Sequence, residues 1–200
     1  MVSGMSSMSR SHIIVKSGTT LEKLSRTLTF AFDKTGTLTE NQLVIDQVVL
    51  PENSSISKEE LQSLAASVEQ QSSHVIATSL VKSTNKDLIK PVTNLKEATA
   101  KGVSGEVDGK LVKVGKLSYV DPDQEKITVQ STAVFVSIDN KFAGYITFQD
   151  QIRKNTPETI ARLRRQGVKQ IMMLTGDRRS VADKVAKEAG IKESEVHADL

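Results

Sequence analysis

The chain contains no cysteine, so its own residues can build neither a disulfide nor a thiolate-held metal centre. Long apolar runs are missing too. No stretch approaches the ~20 residues that a spanning helix needs, and the opening MVSGMSSMSRS lacks the apolar centre of a signal peptide. No direct membrane insertion of this chain is therefore expected. Nor does charge of one sign dominate, since 27 basic against 24 acidic residues leave a net +3. The basic residues are scattered rather than gathered in a stripe, which argues against a nucleic-acid partner. One local cluster, Arg162, Arg164 and Arg165, falls in an expected helix and reads as a solvated face. There is no internal repeat or low-complexity tract. What remains is 200 residues with 38% apolar content, enough for one generous domain or two modest ones.

Three textures follow one another along the chain. The first has short β runs at 13–15 and 28–32, separated by a Gly18 turn and the polar stretch 21–26. After Glu40 an apolar run continues to Leu50, and the loop PENSSIS closes the segment. The second texture begins at Ser57, an N-cap for a helix through Leu61, Leu64, Ala65 and Val68. Glu60, three residues after the cap, completes a capping box. A second helix is expected over about 75–86, followed by alternation around Asp108-Gly109, the dipeptide of a type I′ hairpin. Another hairpin joins 133–138 to 142–148 through Asp139-Asn140-Lys141. Helices, hairpins and no parallel crossover suggest an α+β insert over roughly 45–145.

The third texture opens at Asn155-Thr156-Pro157-Glu158, a helix start with proline in its first turn. Gly167 stops that helix, 168–174 reads as a buried strand ending in Thr175-Gly176-Asp177, and a further helix carrying Val181, Val185, Ala186 and Ala189 stops at Gly190. Strand, helix, strand, helix is the rhythm of a doubly wound parallel sheet. With 27–33 as another of its strands, one α/β domain is interrupted by the insert. Ligands of such sheets bind beyond the carboxyl ends of the strands, which is where Asp33 and Thr175-Gly176-Asp177 fall. Taken alone, Asp33 reads as a turn former or helix N-cap.

The octet Asp33-Lys34-Thr35-Gly36-Thr37-Leu38-Thr39-Glu40 alters that reading. DKTGTLT, paired with TGD downstream, resembles the phosphorylation motif of P-type ATPases, ion pumps whose catalytic domain is haloacid dehalogenase-like (HAD-like). IIVKSGTTLEKL and FQDQIRKNTPETIARLRRQGVKQIMMLTGD resemble the same family. The insert resembles its heavy-metal-transporting branch, because Glu69-Gln70-Gln71-Ser72-Ser73-His74 precedes Lys101-Gly102-Val103-Ser104-Gly105. The implied architecture is a HAD-like, Rossmannoid parallel-sheet phosphorylation domain over 1–42 and 149–200, incomplete at its C-terminus. It is interrupted by an α+β nucleotide-binding domain over 43–148.

The resemblance also implies roles. Asp33 is the nucleophile that takes the γ-phosphoryl group of ATP. Its carboxylate and the Thr35 backbone carbonyl hold Mg²⁺, which prefers hard oxygen ligands. Lys34 adds positive charge, Gly36 lets the backbone approach the phosphate, and Thr37 shapes the loop. Thr175 hydrogen-bonds a phosphoryl oxygen, Gly176 belongs to the same catalytic turn, and Asp177 lies by the Mg-nucleotide while also suiting an N-cap. His74 contacts adenine, with Glu69 nearby and the loop from Gly102 to Gly105 allowing close backbone approach. Val75 replaces the family proline after the histidine, and Ala100 replaces the first glycine of the loop.

Thr35 stands where soluble phosphatases of the superfamily carry an Asp general acid/base, a task threonine cannot perform. The later family motifs, with a catalytic lysine and a further Mg²⁺ ligand, are not in these residues. The expectation is a region of a pump's cytoplasmic loop that partners transmembrane and actuator domains and is by itself soluble and inactive in transport. Two alternatives stand beside it, a free-standing phosphatase with a cap domain and a non-catalytic nucleotide-binding module.

Overall fold

The computed structural model describes residues 2–10, 12–123 and 127–200. In chain order the elements are α1 (Val2–Arg10), α2 (Gly18–Ser25), β1 (Thr29–Asp33), a tight loop Lys34–Leu38, and β2 (Thr39–Val49). Next come α3 (Lys58–Glu69), α4 (Val75–Lys82), β3 (Thr93–Ala98), β4 (Gly102–Val107), β5 (Lys110–Gly115), α5 (Leu117–Val120), β6 (Thr132–Ile138) and β7 (Lys141–Ile152). The chain closes with α6 (Thr156–Arg165), β8 (Gln170–Leu174), α7 (Arg179–Ala189) and β9 (Val196–His197). Contacts divide it into two compact units, Met1–Leu38 with Ile152–Leu200, and Thr39–Gln151. No helix among the described residues is long and apolar enough to cross a membrane.

In the first unit, β1, β8 and β9 form a parallel sheet in the order β1-β8-β9. Ile171 and Met173 of the central strand are fully buried against Leu38, Ile160, Val185, Ala186 and Ala189. Both lie on one face of β8, the face packed against residues of α6 and α7, while Met172 and Leu174 on the other face are half-buried. β1 is the edge, so Phe30 and Phe32 are half-buried while Thr29, Ala31 and Asp33 are exposed. α7 ends where Gly190 adopts φ 75, a left-handed conformation that costs glycine nothing, and its N–H returns to Ala186 and Lys187 carbonyls.

Two expectations for this unit are corrected. Residues 13–15 form no strand: Ile14 is 93% exposed and no ladder pairs with it. The polar stretch after Gly18 is helical instead, with Leu21 and Leu24 three residues apart and Glu22 paired to Arg26 at 2.8 Å, one turn on. Likewise, Arg164 is no solvated side chain, because its guanidinium holds the buried carboxylate of Glu195 at 2.7 Å.

The second unit is a six-stranded sheet in the order β2-β7-β6-β5-β4-β3, antiparallel from β3 through β7. Leu61, Leu64, Ala65 and Val68 of α3, with Leu80 of α4, pack on Val107, Val112, Val114, Val136, Ile146 and Phe148 of the strands. Ser57 caps α3 by accepting the Glu60 N–H at 3.0 Å. The Glu60 carboxylate pairs with Lys110 at 3.2 Å, a partner on β5 rather than the reciprocal bond of a capping box. Both hairpin turns are of two residues with positive φ, Asp108 (49°) with Gly109 (75°), and Asp139 (50°) with Asn140 (61°). That is type I′ geometry. The β3–β4 turn holds Ala100 at φ 59, a conformation costing a residue with a Cβ about 1 kcal/mol.

Glu195 is 7% exposed, and it also accepts the N–H groups of Ile171 at 3.1 Å and Lys192 at 3.2 Å. Burial pushes its carboxyl up, but the Arg164 guanidinium and the two backbone donors together hold it below the ordinary value of 4.5. A depressed folded-state pKa gives stability that is present above the unfolded value and lost as pH falls through the folded one. Glu195→Gln should therefore destabilise the first unit by about 2–3 kcal/mol at neutral pH. The deficit should shrink below the ordinary glutamate range, as read by urea titration with amide exchange at Ile171. Ala100→Gly should raise the stability of the second unit by a net ~0.5 kcal/mol, relief of strain exceeding the entropy glycine adds to the unfolded chain. Thermal unfolding of the two proteins would measure it.

Candidate functional site

The parallel register of β1 on β8 pairs Asp33 with Leu174. Thr175, one residue further, therefore leaves the sheet at the same carboxyl edge as Asp33. Thr175 is buried, its N–H donates to the His197 carbonyl at 3.0 Å, and its hydroxyl oxygen accepts the Asp177 N–H at 3.1 Å. Accepting with a lone pair leaves the hydroxyl proton to be donated. Gly176 is exposed between them.

Lys34 points inward. It is 2% exposed, and its ammonium lies 2.7 Å from Asp177 Oδ2. That carboxylate oxygen is shielded from water and has the ammonium as its charge partner. A buried cation needs such a counter-ion, so the pair ties the Asp33 loop to the Thr175-Gly176-Asp177 turn. Asp33, Thr35, Gly36 and Thr37 stay exposed around it. Gly36 has φ 75, and a Cβ placed there would meet nothing within 4 Å. Its glycine serves the backbone turn, and its flank is open.

Two residues that sequence reasoning left without a role hold this loop from behind. Arg153 donates from Nη2 to the Gly36 carbonyl at 2.9 Å and from Nε to the Thr37 carbonyl at 3.1 Å. The Thr156 hydroxyl donates to the Leu38 carbonyl at 2.9 Å. Thr156 was legible only as part of a helix start, and the one signal for Arg153 was its place directly after the last strand of the insert.

No group of three or more His, Cys, Asp or Glu side chains placed to hold a metal occurs among the described residues. Asp33 and Thr35, whose carboxylate and backbone carbonyl are the oxygens expected to meet the ion, are both exposed, while Asp177 is engaged by Lys34. Two hard oxygens suit Mg²⁺, which completes its shell with water and phosphate oxygens rather than with a protein cage.

The second unit has its own cavity, of about 600 Å³, a size that admits a small organic ligand. Val68, Ile76, Leu95, Val103 and Val134 supply apolar wall, and Glu69, Ser72, His74, Glu97, Lys101 and Lys116 supply polar groups. Gly102 and Gly115 face each other across β4 and β5. A Cβ on Gly102 would fall 2.2 Å from the Val114 carbonyl, and one on Gly115 would fall 2.3 Å from that of Lys101. Only glycine fits at either point. Burial raises the Glu69 carboxyl above its ordinary value, opposed by a Ser72 hydrogen bond and the charge of His74 and assisted by Glu97.

His74 is the N-cap of α4 with extended backbone, φ −62 and ψ 140, the region a residue before proline would occupy. Val75 follows as the first helical residue, where proline is also tolerated. The replacement thus leaves the local path intact. Of the residues expected to bind nucleotide, Glu69, His74 and Gly102 line one cavity. Gly105 does not; it lies under Val92 and Leu95 at β3, where a Cβ would come within 2.4 Å of Val92.

A profile of haloacid dehalogenase-like hydrolases matches residues 27–199. The zinc-transporting ATPase of Synechocystis sp. is 32% identical over 192 residues, covering 94% of this chain and 26% of that protein. The cadmium, zinc and cobalt-transporting ATPase of Bacillus subtilis is 31% identical over 201 residues, covering 98% and 28%. The chain thus spans about a quarter of the length of these curated relatives. Among solved structures, a zinc-transporting PIB-type ATPase in its E2.Pi state covers 100% of this chain with 33% of its own, at 30% identity and a TM-score of 0.78. The catalytic domain of a CPx-ATPase, studied for its conformational changes upon nucleotide binding, covers 94% of this chain with 67% of its own, at 26% identity and a TM-score of 0.60. Sequence motif, strand-end geometry and these likenesses converge along nearly the whole length: the chain belongs to the haloacid dehalogenase-like hydrolases and corresponds to the catalytic region of heavy-metal P-type ATPases.

Proposed function

We propose that this chain binds ATP and accepts its terminal phosphoryl group on Asp33, as the catalytic region of a metal-cation pump. The observation that carries the reading is the meeting of Asp33, Lys34, Thr175 and Asp177 at one strand edge of the first unit. In the step proposed, an Asp33 carboxylate oxygen bonds to the γ-phosphorus of ATP. The bond from that phosphorus to the β,γ-bridging oxygen breaks, and ADP leaves with the electron pair. Lys34 offsets the repulsion between two anions, the Thr175 hydroxyl donates to a phosphoryl oxygen, and the amides beyond Gly36 do the same. Mg²⁺, held by the Asp33 carboxylate and the Thr35 carbonyl, would neutralise phosphate charge at this centre.

Thr35 bears on the reaction's second half. A side chain with no accessible carboxylate takes no proton from an attacking water, so an aspartyl phosphate here persists instead of hydrolysing at once. That favours a pump over a free-standing phosphatase, because a pump must change conformation before dephosphorylation. The parent protein in this reading works at the cytoplasmic face of a membrane, with transmembrane and actuator domains as partners. The cavity of the second unit takes the adenine end of the nucleotide, His74 and Glu69 lying at its polar side.

Calorimetric titration of Mg-ATP into the chain should give saturable binding that His74→Ala weakens tenfold or more, ~1.4 kcal/mol. Binding indifferent to that change would remove the cavity from the reading. Steady phosphate release from Mg-ATP should be negligible. Sustained release that Asp33→Ala abolishes would establish a free-standing hydrolase in place of a pump region.

A further inference from the structure

Arg153 is exposed, yet two nitrogens of its guanidinium donate to the Asp33 loop, one to the Gly36 carbonyl and another to that of Thr37. Its own backbone N–H donates to the Leu38 carbonyl at 3.0 Å, where the Thr156 hydroxyl is a second donor. Three successive carbonyls are thereby drawn to donors from one short segment, 153–156. In a trans peptide the C=O and the following N–H point in opposite directions. Holding the Gly36 and Thr37 carbonyls therefore turns the N–H groups of Thr37 and Leu38 away from Arg153. Gly36 and Thr37 are exposed, and nothing stands within 4 Å of where a Cβ on Gly36 would be, so between the buried Lys34 and Leu38 these two residues have no side-chain burial to define their peptide planes. The planar fork of arginine spans two carbonyls at once, whereas a lysine ammonium supplies a point charge.

We propose that Arg153 is a positioning residue for phosphoryl binding. By fixing the carbonyls of Gly36 and Thr37 it keeps the amide donors of the loop presented to a phosphoryl group on Asp33, without itself touching that group. The inference rests on the reading of Asp33 as phosphoryl acceptor. It differs from a charge effect, since Arg153 acts through the orientation of two peptide planes.

The test uses the full 200-residue chain with Mg²⁺ and beryllium trifluoride, a phosphoryl analogue that bonds to carboxylate oxygen, followed by ¹⁹F NMR. Arg153→Ala should weaken analogue binding tenfold or more and displace the amide resonances of Thr37 and Leu38. The unfolding midpoint and the Mg-ATP affinity that depends on His74 should not move. Arg153→Lys, which keeps the charge and loses the fork, should stay within threefold of the alanine variant; if Arg153→Ala does not fold, Arg153→Lys against the unmodified chain makes the same comparison. Analogue binding within twofold of the unmodified chain in Arg153→Ala, or full recovery in Arg153→Lys, overturns the proposal. Binding that survives Asp33→Asn defeats the reading of Asp33 instead, and an unmodified chain that binds no analogue defeats both.

Discussion

Asp33 and Thr175 lie at opposite ends of the sequence and meet because β1 and β8 run parallel in a single register. A parallel pair cannot be joined by a tight turn and needs a long crossover; here that connection carries an entire second unit together with α6. The carboxyl ends of parallel strands share one edge, so the chemistry of one strand's exit loop is delivered to that of its neighbour. A slip of the register by one residue would reverse the faces of Phe30 and Phe32 and withdraw Asp33 from Thr175. The burial of Ile171 and Met173 prevents such a slip.

On that edge the ion pair between Lys34 and Asp177 does two things. It neutralises a buried ammonium that would otherwise be costly, and it links the loop after β1 to the turn after β8. The hydroxyl of Thr175 accepts the Asp177 N–H and keeps a proton to donate. Positive charge, a hydroxyl and an exposed carboxylate thus share one edge of the sheet.

The second unit obeys a steric constraint. Gly102 and Gly115 approach so closely that no side chain fits on either, and their contact lies on the wall of the cavity that also holds Glu69 and His74. The replacement of proline by Val75 is absorbed because His74 keeps the extended backbone of an N-cap. Ala100 is different in kind, since its positive φ is a conformational cost carried by the turn itself.

How far each element could be read follows from the range of the forces that form it. The hairpin turn at Asp108-Gly109, the Ser57 cap and the Gly190 stop depend on one to four neighbouring residues, and all three were legible. So was the family resemblance carried by the octet DKTGTLTE. Elements defined by distant partners were not legible. Residues 13–15 have strand-like composition but no ladder, Arg164 finds a buried Glu195, and Gly105 turns to β3 rather than to the cavity. The sequence by itself thus determined the local turns, caps and chemical groups of this protein, because short-range sterics and hydrogen bonding decide them. Only the tertiary structure decided that Lys34 would be buried against Asp177 and that Arg153 would hold the Gly36 and Thr37 carbonyls, because long-range packing brings those groups within reach.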